Sequence, residues 1–74
     1  MLRDEFKTRL RKCSPADLIE LIELSGDTTH SVRAHKRKEE QNRDFLLNGV
    51  YDNDGCAHAV KMQTIERLRG LTGL

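Results

Sequence analysis

Few side chains in this 74-residue chain could do chemistry, and their spacing decides what each is good for. His30 and His35 are five apart, which on a helix sets them about 140° apart and not on one face. Cys56 and His58 are two apart, a poor spacing for joint chelation, and Cys13 is isolated. No metal site is expected. Asp52-Asn53-Asp54-Gly55 matches a fragment of a calcium loop. If Gly55 were the turn glycine, the first ligand would fall on Val50 and the bidentate acid on Lys61. That stretch therefore reads as a turn and a helix cap. Ser25, His30 and Ser31 cluster in sequence but form no nucleophile motif, and no phosphate-binding Gly-rich loop or zincin pattern occurs. So small a core rarely builds a pocket that excludes water. The expectation is a protein that is not an enzyme and uses no cofactor.

What remains is charge. From Arg33 to Asp44 the chain reads RAHKRKEEQNRD, in which Ala34 is the only apolar residue and no Gly or Pro intervenes. Val32 precedes it and Phe45, Leu46 and Leu47 follow. A stretch so polar, yet rich in good helix formers, is expected to be presented to a partner. The net charge of +1 hides segmentation: residues 1–13 carry +3, residues 14–27 carry −4, residues 28–48 carry +2, and residues 49–74 are neutral. One acidic element lies between two basic ones. That pattern serves either internal packing or two differently charged faces. It lacks the basic excess of a general polyanion binder.

Size and composition bound the rest. Seventy-four residues make one small helical domain, burying only roughly 60% of its unfolded surface. With two Phe, one Tyr and no Trp, its core must be mostly aliphatic. Two distant cysteines make no disulfide framework. No apolar run approaches the roughly 18–20 residues that span a bilayer, and MLRDEFKTRL lacks the apolar centre of a secretory signal. A cytoplasmic protein with reduced thiols and no membrane contact is expected.

The elements that must position these charges all read as helical. The fold class is all-α, a compact bundle of about four helices near 2–13, 15–25, 30–48 and 55–69, the third long and highly charged. Leu2, Phe6, Leu10 and Cys13 form one helical stripe. Ser14-Pro15-Ala16-Asp17 is a capping box with Pro at the first helical position, and Cys13 can pack on Leu18 as a staple. The helix that follows is greasy apart from Asp17, Glu20 and Glu23, and Gly26 ends it. Asp27-Thr28-Thr29 is turn and cap chemistry. Lys36–Glu40 and Glu39–Arg43 are opposite-charge pairs one turn apart, supporting an uninterrupted third helix. Asp52 or Asp54 caps the last helix, whose inner face is Ala57, Val60, Thr64, Ile65, Leu68 and Leu71. Gly70 and Gly73 end it. Phe6, Leu10, Leu18, Leu21, Ile22, Ile65 and Leu68 are the expected core.

Residues 18–37 resemble a degenerate helix-turn-helix. Gly26 and Val32 keep the six-residue spacing between the turn glycine and an inner apolar position. Thr29, His30, Ser31 and Arg33 would then read DNA. Ile22 and Asp27 depart from the pattern, which asks for a small and an apolar residue there. Two functions follow. The first is a non-enzymatic helical protein of the accessory or mobile-element type, which modulates or inhibits a larger partner by protein–protein contact. It would act through Arg33, Lys36, Arg37, Lys38 and Arg43. The alternative is a DNA-binding transcriptional regulator. Phe45, Leu46 and Leu47 point three ways round a helix, with Val50 and Tyr51 beside them, so one chain should not bury them all. They are the expected interface of a homodimer.

Overall fold

The structure is a computed structural model that describes residues 1–26 and 28–73. Those residues form α1 (Arg3–Lys12), α2 (Pro15–Leu24), α3 (Thr28–Ala34), α4 (Glu39–Asp44), a π-helical segment (Phe45–Tyr51) and α5 (His58–Thr72), with no strand among them. The all-helical reading holds. The expected long third helix does not form: it is broken into α3, a turn at 35–38, and α4 running on into the π-helical segment.

α2 is the hub. Its N-terminus is built as its sequence dictates. Ser14 Oγ accepts from the Asp17 N–H at 3.2 Å, and the Ser14 N–H donates to Asp17 Oδ2 at 3.3 Å. Pro15 occupies the first turn, where its missing N–H costs nothing. Gly26 then turns the chain at φ +83°, a backbone conformation that disfavours any side chain. Asp27, expected in that turn and cap, lies outside the described residues. α2 packs against α3, α4 and α5, so Leu18, Leu21 and Ile22 are wholly buried. Phe6, Leu10, Ile65 and Leu68 complete the expected core, and all are buried. Cys13 and Leu18, the expected staple pair, belong to the same cluster.

Why the third helix breaks is visible in its hydrogen bonds. A helix end leaves its last carbonyls without intrahelical partners. The buried Asn42 side chain takes one of them, donating from Nδ2 to the Ala34 carbonyl at 3.1 Å. α4 restarts with the Lys38 N–H donating to Gln41 Oε1 at 3.1 Å. Glu39–Arg43 pairs at 2.7 Å as expected, whereas Lys36, in the turn, forms no ion pair with Glu40.

The 45–51 segment overturns the reason for expecting an interface there. Its last bond runs from the Asp52 N–H to the Leu47 carbonyl, five residues back, at 2.9 Å. A π-helical turn holds more residues than an α-turn, so consecutive side chains span a narrower arc. Leu46, Leu47 and Val50 are buried, and Phe45 and Tyr51 pack against the same core. Gly49 makes room: a Cβ there would stand 3.3 Å from the Phe45 ring. Tyr51 stacks on Phe6 with centroids 4.8 Å apart, and its hydroxyl donates to the Met1 carbonyl.

α5 begins three residues later than expected, after Ala57, which is exposed. Neither Asp52 nor Asp54 caps it. Asn53 Oδ1 instead accepts from the Gly55 N–H at 2.9 Å, closing a local turn. The helix passes through Gly70 and ends at Gly73, φ +75°. Arg9 holds that end through Thr72 Oγ1 at 2.8 Å and the Gly73 carbonyl.

Candidate functional site

The acidic stripe of α2 is spent inside the molecule. Asp17 serves the cap, Glu20 takes a forked bond from Arg67 with a nearest distance of 2.9 Å, and Glu23 faces His35 at 3.7 Å. Each acidic side chain of α2 thus has a partner within the chain, and Arg67 of α5 supplies the one for Glu20.

The basic segment divides. α3 follows the Gly26 turn and docks through Ala34, which is buried, and through His30, whose ring lies 4.4 Å from Phe45. Thr28, Thr29, Val32 and Arg33 face outward. Val32 is 54% exposed, which corrects its expected role as the inner anchor of a helix-turn-helix. The reason is register: Ala34, two residues on, occupies the inner face. Ser31 is half-buried.

Past α3, Arg37 folds back. Its guanidinium carbon stands 5.1 Å from the Phe45 ring centroid, and Nη2 lies 3.3 Å from His30 Nδ1. Arg37 Nη1 is buried with no acceptor. Arg37 and Arg43 are thus engaged within the chain. Arg33, Lys36 and Lys38 are exposed and have no ion-pair partner among the described residues. Of the five cations expected to bind a partner, these three are the exposed ones without an ion pair; Arg33 stands on α3, and Lys36 and Lys38 on the turn that also holds His35 and contains no carboxylate. The Arg37–Phe45 contact was not legible in the sequence, because it spans eight positions across a break no residue type announces.

Elsewhere the described residues offer little chemistry. No group of three His, Cys, Asp or Glu is placed to hold a metal ion. His30 and His35 have separate neighbours, Phe45 and Glu23. Burial, followed by the charge of Asp17, pushes the Cys13 thiol up to about 11, away from nucleophilic use at neutral pH. Cys56 is half-buried. Among the described residues no helix is long and apolar enough to cross a membrane.

One feature that sequence reasoning missed is a groove of about 260 Å³ between α1 and α4. Lys7 and Arg11 line one wall, Glu40 and Asp44 the other, and Leu10 and Leu47 also line it. Each like-charge pair is one helical turn apart in the sequence, but only the fold sets the two walls opposite each other.

In comparisons with known proteins, no family model matches the chain, and neither the curated proteins nor the solved structures gave a match.

Proposed function

We propose that this chain is a non-enzymatic helical binding protein that modulates a larger protein by direct contact, with Arg33, Lys36 and Lys38 as its contact residues. One observation carries the reading: these three cations project without ion-pair partners from a segment free of carboxylates, whereas His35 and Arg43 beside them have Glu23 and Glu39. Unpaired surface cations contribute little to stability, so their place on this surface is open to recognition. The partner surface is acidic by complementarity, which sets encounter rate and register more than raw affinity. The turn that carries Lys36 and Lys38 is fixed at both ends, by the Asn42 bond to Ala34 and by the Lys38 N–H on Gln41 Oε1, and between them by Arg37 on Phe45. Fixed ends lower the ordering cost of binding.

The experiment is affinity capture from a lysate of the source cells, with and without nuclease. The wild-type chain is compared with an Arg33→Glu, Lys36→Glu, Lys38→Glu variant of unchanged far-UV spectrum. The expected outcome is a nuclease-resistant partner that the variant does not retain. A partner captured equally by both would overturn the assignment of these residues.

A second reading has its own support. α2 and α3 pack across a glycine turn, and the outward face of α3 carries Thr28, Thr29 and Arg33, side chains that reach phosphates and base edges. On this reading the chain binds duplex DNA. Titration of mixed-sequence duplex at two salt concentrations decides: a DNA binder loses affinity steeply with salt, and a protein-directed one shows no duplex binding at physiological salt.

A further inference from the structure

The α1–α4 groove has walls of equal and opposite charge that do not meet. Lys7 and Arg11 stand one turn apart on α1, and Glu40 and Asp44 stand one turn apart on α4. All four are exposed and none forms an ion pair or hydrogen bond through its side chain with another described residue. Arg43, also at the groove, is neutralised by Glu39 at 2.7 Å. Like charges one turn apart repel, so each wall carries a small cost, and no contact ion pair across the groove offsets it among the described residues.

We infer that this groove is a self-recognition surface, whose occupant is the same groove of a second copy of this chain. A two-fold axis running along the groove turns the copy over and lays its acidic wall on the first chain's basic wall. The same operation lays its basic wall on the first chain's acidic wall. Lys7 and Arg11 of each copy then face Glu40 and Asp44 of the other, the reciprocity that a two-fold interface requires. Other occupants fit less well. A nucleic acid or an acidic peptide would meet Lys7 and Arg11 but be repelled by Glu40 and Asp44, and a basic peptide would meet the reverse. Only a partner with the same two rows in the same register satisfies both walls, and a second copy has them by construction. The site is separate from the 28–38 segment, and the inference does not depend on the function proposed above. The contacts are exposed ion pairs, so the dimer is weak and salt-labile.

Sedimentation equilibrium of the full chain over a wide concentration range tests it, first at low ionic strength. The expected mass rises with concentration from the 8.5 kDa of one chain toward about twice that value, and returns to 8.5 kDa in high salt, where the Debye length falls to about 3 Å. Two charge-reversed variants, Lys7→Glu with Arg11→Glu and Glu40→Lys with Asp44→Lys, are each expected to stay monomeric. Mixed together, they should recover association, since each now carries the complement of the other's like-charged walls. Circular dichroism checks that both remain folded, and Lys7→Gln with Arg11→Gln replaces the first if it does not. A constant 8.5 kDa for the wild type at every concentration overturns the inference. So does a dimer that survives the single-wall variants, which would place the interface elsewhere.

Discussion

Replacing Asn42 by alanine separates two accounts of residues 30–48 by the sign of its effect. In an uninterrupted exposed helix Asn42 would face solvent. Alanine, the best helix former, would then stabilise the protein by a few tenths of a kcal/mol, up to about 0.7. In the structure Asn42 is 2% exposed and its amide closes the end of α3 on the Ala34 carbonyl. Removing it leaves that carbonyl without its partner, at about 1–3 kcal/mol. A partial offset comes from Oδ1, which is buried without a donor and vanishes with the side chain. The net expectation is destabilisation of about 1–2 kcal/mol, the lower part of that range. A chain of this length has about 4–11 kcal/mol in total, so the change is a large fraction. Urea denaturation followed by circular dichroism measures it, with a thermal shift of about 4–8 °C for each kcal/mol as a check. A variant as stable as the wild type, or more so, would refute the stitched break between α3 and α4.

Other outcomes follow from the core and the thiols. Ile22→Ala removes a wholly buried side chain from the hub helix and should cost about 2–5 kcal/mol in urea denaturation, a large fraction of the total stability. Cys56 should react with a thiol reagent well before Cys13 at pH 8, because Cys13 is buried and its thiol is held up at about 11. The raised Cys13 value also sets a pH dependence. An ordinary thiol ionises near 9, so above that pH the unfolded chain loses this proton first. The Cys13 contribution is therefore full below pH 9 and falls as pH rises toward 11, and Cys13→Ser should flatten that decline in stability measured by urea across the window.

What the sequence disclosed was whatever depends on local spacing. The Leu2–Phe6–Leu10–Cys13 stripe and the Ser14-Pro15-Asp17 box are readable because each needs only local spacing; the box stands as expected, and of the stripe Phe6, Leu10 and Cys13 are buried whereas Leu2, ahead of the first helical residue, is 80% exposed. Gly26 is readable because a positive φ favours glycine. The break at 35–38 was hidden because nothing in it disfavours a helix. Its cause lies in Asn42 and Arg37, which reach across to Ala34 and Phe45. The burial of Leu46, Leu47 and Val50 was hidden for a related reason. An α-helical angle of 100° per residue predicts that three consecutive side chains diverge, and the wider π-helical turn gathers them. The candidate surface shows the same division. Arg33, Lys36 and Lys38 were visible as charges, and so was the local Glu39–Arg43 pair, but that Arg37 folds back onto Phe45 is a tertiary fact.

The claim that function runs through the exposed cations of the 28–38 segment is tested most directly by calorimetric titration of the captured partner, purified and free of nucleic acid. Wild-type chain and the Arg33→Glu, Lys36→Glu, Lys38→Glu variant are titrated at low and physiological salt. The account predicts that the wild type binds, that the variant binds at least tenfold more weakly, about 1.4 kcal/mol, and that the difference narrows as salt rises. Equal affinity of the two at both salt concentrations would contradict it.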